Sequence, residues 1–220
     1  MHIPVSNVRR NGSLVLGSSP SIYRQDPSPE VDAAWLHIAN INPIAMTEDE
    51  VRSNGFDPNV IAEWPEEYGF GPGAYIGRLD VFHELHCLDV LRREVHYDHY
   101  YPQWPKSEGG APEDHKVHIS HCIYNLLQNI MCTASTDPFV HYWVDVNEEP
   151  YPDFSINRQC RDFESVLNWQ IENSVPMRDY RDIIHRPEGV KTRIMSDEYK
   201  QMIGWFEKNG ITSSSHHHDD

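Results

Sequence analysis

The sequence is short of positive charge. Its 220 residues hold 18 Lys and Arg against 34 Asp and Glu, a formal net charge of −16 with His neutral. A nucleic-acid backbone is gripped by clustered Lys and Arg, and an anionic membrane surface by the same groups, so the balance argues against both partners. Long apolar runs are also missing. None reaches the roughly 18 residues that a transmembrane helix requires. Met1 does not open a secretory signal peptide. There is no glycine-rich phosphate loop, no nucleophile elbow and no low-complexity segment. Cysteine is sparse, with only Cys87, Cys122, Cys132 and Cys160, an even number that allows three pairings.

Histidine is plentiful, with 14 residues, and four of them sit in a motif that occurs twice. His83-Glu84-Leu85-His86-Cys87 runs on into Leu88 to Arg93, and His118-Ile119-Ser120-His121-Cys122 runs on into Ile123 to Leu127. In each copy two His and a Cys fall at i, i+3 and i+4, which places them on one face of a helix. His83-Glu84-Leu85-His86 begins like a zincin motif, but its second His comes one residue early.

At 100° per residue, His83, His86, Cys87, Val90, Glu94 and Tyr97 form one stripe of the first helix. The matching stripe of the second is His118, His121, Cys122, Asn125, Asn129 and Cys132. Leu88 and Leu91 lie to one side of the first stripe, and Leu126, Leu127 and Ile130 to one side of the second, as flanks for a core. Imidazole and sulfur are metal ligands, so two such stripes turned toward each other would close a site. The expected ligands are His83, His86, His118 and His121, with Glu94, Asn125, Asn129 and His141 as groups that support them from behind. The alternative is a set of ordinary surface or capping histidines, which is how His96 and His99 are read. Asp137 and Asp145 are read as turn residues. The cysteines are either thiolate ligands or disulfides; the favoured pairing is Cys87 with Cys122 and Cys132 with Cys160.

The pattern predicts a mainly α fold with short β segments and long loops, in which two long antiparallel motif helices flank the metal site and disulfides staple the whole. Helices are expected at residues 30–39, after the Thr47 capping box, from an Asp80 N-cap to about Tyr100, from Glu113 to about Cys132, over Cys160 to Asn173, and after Ser196. Tyr75 to Gly77 and Val140 to Val144 read as strands, and Trp35, Trp143 and Trp169 as core. Residues 1–27 read as an extended arm, 28–185 as the metal-binding catalytic domain, and 186–220 as a C-terminal helix and flexible tail. The His216-His217-His218 run is native or vector-derived and is left out of the metal argument.

Taken together these residues resemble the UstYa-like proteins of fungal secondary-metabolite clusters. The resemblance spans roughly residues 28–173. It rests on the two HxxHC copies, Ile130-Met131-Cys132, Asp137, Trp143, Pro152-Asp153-Phe154, Cys160-Arg161-Asp162-Phe163 with Trp169, and Asp32-Ala33-Ala34-Trp35. It implies a copper-dependent oxidative tailoring enzyme that cyclises, hydroxylates, desaturates or halogenates a peptide or polyketide-type metabolite at C–H bonds. Copper would be held by the HxxHC histidines, with zinc or iron as alternatives, and oxygen or peroxide would be the co-substrate. The resemblance further implies a lumenal domain of the secretory pathway behind one N-terminal transmembrane helix, absent from this sequence, and a homo- or heterodimer with a related protein. Asn157-Arg158-Gln159 departs from the family pattern, which often has a His just before the Cys. A non-catalytic metal-binding partner of another oxidase and a structural zinc domain are the competing readings.

Overall fold

The computed structural model describes residues 2–177, 180 and 184–210. The His216 to His218 run lies outside them. The chain is mixed helical with short strands. Its elements are β1 (Val5–Arg9), α1 (Pro29–Ile38), β2 (Ile44–Met46), α2 (Glu48–Ser53), β3 (Tyr75–Gly77), α3 (Asp80–Val95), α4 (Tyr97–Tyr100) and α5 (Glu113–Thr133). They continue with β4 (Val140–Val144), β5 (Asn147–Asp153), β6 (Asn157–Arg161), α6 (Phe163–Asn173), α7 (Asp197–Met202) and α8 (Trp205–Lys208). The strands form three two-stranded antiparallel sheets, β1 with β6, β2 with β3 and β4 with β5.

Local chemistry accounts for most boundaries. Ser28 caps α1 by accepting from the Val31 N–H, and Thr47 and Glu50 close a reciprocal capping box on α2. The arm carries a strand, and β1 reaches across the chain to β6. Beyond β1 the backbone passes so close to Phe154 and Ser155 that a Cβ at Gly12 would collide with them.

Three expected boundaries move. Asp80 is the first residue of α3 rather than its cap, and the capping position falls to Leu79. The first long helix breaks at His96, whose N–H is shared between the Arg92 and Arg93 carbonyls, and resumes as α4. Cys160 lies on β6, and α6 begins only after Asp162, whose carboxylate accepts from the Ser165 N–H. On α6 Leu167 and Gln170 are both buried; the Gln170 amide donates to the Asn40 and Asn42 carbonyls and fastens α6 to the segment before β2.

α3 and α5 pack side by side and antiparallel, with His83 meeting His121 and His86 meeting His118. Between them Cys87, Val90 and Cys122 form a buried cluster, with Ile119 and Leu126 against it. A second anchor ties α3 to α1. Asp89, only 7% exposed, accepts from Arg92 and Arg93, and Arg92 reaches Asp32 at 2.9 Å while lying over the Trp35 ring. Tyr100 donates to Asp32 at 2.6 Å and so joins α4 to the same network.

Only part of the apolar flank of α5 faces the core. Leu126 packs against the Cys87–Cys122 cluster, whereas Leu127 and Ile130 are 46% and 67% exposed, and Leu88 on α3 is 45% exposed. α5 meets α3 through its polar stripe and Leu126, so the rest of the flank points outward. Trp35 is core as expected, whereas Trp143 stands 79% exposed on β4, a two-stranded ribbon with no described layer over that ring.

Candidate metal centre

The antiparallel pairing turns the two HxxHC stripes into rungs. The His83 and His121 Nε2 atoms lie 3.4 Å apart. The His86 and His118 rings lie 5.6 Å apart and nearly parallel, at 30°. The four expected histidines therefore converge across one helix–helix seam. His83, Cys87 and His121 offer ring nitrogens and a sulfur that all lie within 4.8 Å of one another. Two imidazole nitrogens each about 2 Å from one ion stand roughly 3–4 Å apart, so the donor set fits a transition metal in type and spacing.

The supporting groups sort themselves by geometry. The Asn125 Nδ2 atom lies 3.3 Å from His83 Nδ1. Rotated by 180°, the same amide would present Oδ1, accept from Nδ1–H and leave the Nε2 lone pair free, the tautomer a metal needs. Asn129, one turn on, uses only its backbone carbonyl, which accepts from Thr133. His141 is exposed on β4 beside Phe139. Glu94 does not stand behind the four histidines but pairs with His115 at 2.7 Å. Among the rest, Asp137 binds Arg158 and Ser135, Asp145 sits in the β4–β5 turn, and His99 is exposed against Tyr100.

Electrostatics favour neutral imidazoles. Burial, helped by the other histidines nearby, holds both His86 and His118 below the ordinary imidazole range. Cys87 and Cys122 are both fully buried and touch across the seam. Burial, with Cys87 beside it, pushes the Cys122 thiol up to about 12. All four cysteines are free thiols, so the expected staples are not at bonding distance. Cys132 is exposed near the end of α5 and Cys160 is half-buried on β6, on separate elements.

The His115–Glu94 pair lies outside the HxxHC motif, which begins at His118. His115 precedes it by three residues, and that i, i+3 spacing was the available signal.

The family model described as "Mycotoxin biosynthesis protein UstYa" matches residues 2–173. The chain belongs to the UstYa family. The UstYa family oxidase aprY of Aspergillus flavus is 37% identical over 179 residues, covering 80% of this chain and 54% of its own length. The UstYa family oxidase phomYc of Diaporthe leptostromiformis is 31% identical over 158 residues, 71% of this chain and 60% of its own. The oxidase ustYa of Aspergillus flavus is 29% identical over 168 residues, 72% of this chain and 67% of its own. The chain thus spans little more than half the length of aprY and phomYc. No solved structure matches it. No helix among the described residues is long and apolar enough to cross a membrane. The curated members of the UstYa family named here are oxidases, and the family description is that of a mycotoxin biosynthesis protein.

Proposed function

We propose that this UstYa-family chain is a copper-dependent oxidase that functionalises C–H bonds of a peptide or polyketide-type metabolite by cyclisation, hydroxylation, desaturation or halogenation. The observation that carries the reading is the histidine seam: four imidazoles from two helices, with His83, Cys87 and His121 grouped within 4.8 Å. His83 and His121 would hold one end of the site and His86 and His118 the other, as one centre or two adjacent ones. Asn125 would fix the His83 tautomer and His86 and His118 would stay neutral, so that four lone pairs face the seam. Copper, when bound, supplies a one-electron couple and a place for oxygen or peroxide to react; zinc or iron would suit the same donors less selectively. The chain's own part is to position the substrate, and the loop at residues 102–112 and the segment 133–152, which carries the β4–β5 hairpin, flank α5 at its two ends. No triad is needed for that task.

The remaining parts of the reading belong to the whole protein. It would work in the lumen of the secretory pathway, held by an N-terminal transmembrane helix. The site domain covers residues 28–185, with an arm before it and a helical tail after it. In that oxidising compartment Cys87 joins Cys122, which it already touches, and Cys132 joins Cys160. The exposed flank of α5 supports a homo- or heterodimer with a related protein.

Metal analysis with reconstitution tests the core of this reading. Protein purified without chelators and titrated with copper should take up copper and gain oxidative turnover. Stoichiometric zinc with no copper uptake would favour a structural zinc domain, and copper uptake without turnover a non-catalytic partner.

A further inference from the structure

A cavity of about 270 Å³ lies at the far end of the α3–α5 pair, under the loop that joins α4 to α5. Tyr97 and Ala111, both buried, and Ile119 supply its apolar walls. Gly109 and Gly110 carry the loop over it with φ of 104° and 72°, a backbone that residues with a Cβ adopt poorly. The Tyr97 hydroxyl is committed to the Trp104 carbonyl at 2.8 Å, which holds the loop against α4.

The charges around this cavity are unequal. Its one carboxylate, Glu94, is engaged by His115 at 2.7 Å. The His115 ring is fixed in turn against Tyr101 and Trp104, at 4.7 and 5.2 Å between centroids. Lys106 and Lys116 also line the cavity. The Lys106 ammonium lies 4.7 Å from the centre of the Tyr97 ring. Lys116 has Glu113 at 3.7 Å, but both side chains are more than half exposed, and such a pair holds its partners loosely. In a chain with 18 cationic side chains against 34 anionic ones, two of the cations line one apolar cavity whose own acid is already paired.

We propose that this cavity seats the carboxylate-bearing end of a small organic acid, with Lys106 and Lys116 on the carboxylate and Tyr97, Ala111 and Ile119 around its apolar body. The volume suits a group of one ring or a short chain, not a nucleotide. His115 lies about 4.5 Å along the axis of α5 from His118, so the cavity and the histidine seam are neighbours on that helix. Its use as a substrate anchor rests on the oxidase reading, but the binding itself does not.

The test uses the metal-free full chain and hippurate as probe, with hippuramide as its uncharged counterpart. Calorimetric titration should show saturable hippurate binding and at least tenfold weaker binding of hippuramide. The K106Q/K116Q pair should lose hippurate binding at least tenfold, K106R/K116R should keep it, and K200Q, a lysine on α7, should match the wild type. Equal binding of acid and amide, or undiminished binding by a folded K106Q/K116Q variant, would overturn the anchor, and so would no hippurate binding at all. Should the K106Q/K116Q variant not fold, hippurate-induced shifts of the Lys106 and Lys116 side-chain resonances in the wild-type protein decide the matter. Because no metal is present, failure here leaves the oxidase reading standing, and failure of copper-dependent turnover leaves this binding result standing.

Discussion

Asn125 of α5 and His83 of α3 stand 3.3 Å apart at Nδ1, while the other nitrogen of the same ring, Nε2, faces His121 at 3.4 Å. One helix thus addresses both ring nitrogens of a histidine on the other. With its oxygen rotated onto Nδ1, the amide would hold the proton on that nitrogen and leave Nε2 to bind a metal. Replacing Asn125 with Leu should weaken metal binding by roughly 10–100-fold, the usual consequence of removing the group that orients a ligand. Asn129→Ala, one turn further along, should change it little. Competitive metal titration distinguishes them, and equal affinity of Asn125→Leu and the wild type would deny Asn125 this role.

Replacing His86 or His121 with Ala should abolish turnover and weaken copper binding, while the far-ultraviolet dichroism stays that of the parent. The helices keep their Cys87, Val90 and Cys122 contact, and neither imidazole is part of that cluster. His99→Ala should alter neither metal binding nor turnover. A folded His86→Ala, His121→Ala double variant with full activity would take the seam out of the mechanism.

Thiol titration of protein from an oxidising compartment, denatured without reductant, should find essentially no free thiol. The pair most ready to join is Cys87 and Cys122, buried together at the seam. Two or more free thiols would instead leave Cys87 as the sulfur donor beside His83, at 3.8 Å.

The ion network between α1 and α3 should dominate the acid limb of stability. Asp89 is almost fully buried between Arg92 and Arg93, and removing one partner of a buried ion pair costs about 3–5 kcal/mol. Asp89→Leu should therefore lower the urea midpoint sharply. For Asp32, burial pushes the carboxyl up, but hydrogen bonds from Tyr100 and Arg92 outweigh it and hold the group below its ordinary range. A depressed carboxyl contributes stability that is complete above its unfolded pKa of about 4 and is lost as pH falls through the lower folded value. Asp32→Asn should flatten the stability profile below about pH 4 and leave its shape near neutrality unchanged. An unaltered acid limb would remove Asp32 from it.

The outward flank of α5 is a strip of Ile123, Tyr124, Leu127, Ile130 and Met131, between 46% and 68% exposed, and residues 117–136 contain no Asp, Glu, Lys or Arg. Two copies of a chain with net charge −16 repel unless the contact is uncharged, and this strip is. Sedimentation of the wild type should show a dimer, with either itself or a co-expressed relative, that Leu127→Glu dissociates. A wild type that stays monomeric both alone and with a relative would leave the strip to another partner.

Much of this protein is written locally in its sequence. The capping box at Thr47, the Ser28 and Ser196 caps, the strands at Tyr75 and Val140 and the two HxxHC helices follow from hydrogen-bonding groups and periodicity within a few residues. So does the prospect of a histidine seam, because i, i+3 and i+4 spacing fixes a face of a helix before any neighbour is known. Tertiary structure decided what those faces meet. Helical periodicity marks the two sides of α5 but cannot say which one the chain covers; α3 took the polar stripe and left most of the apolar flank outside. Glu94 was on the expected stripe of α3, yet the antiparallel offset of the helices gave it to His115 and gave the place behind His83 to Asn125. The half-buried clasp of Asp32, Asp89, Arg92 and Tyr100 joins residues as far as 68 positions apart, and only the packed fold brings these groups within hydrogen-bond reach.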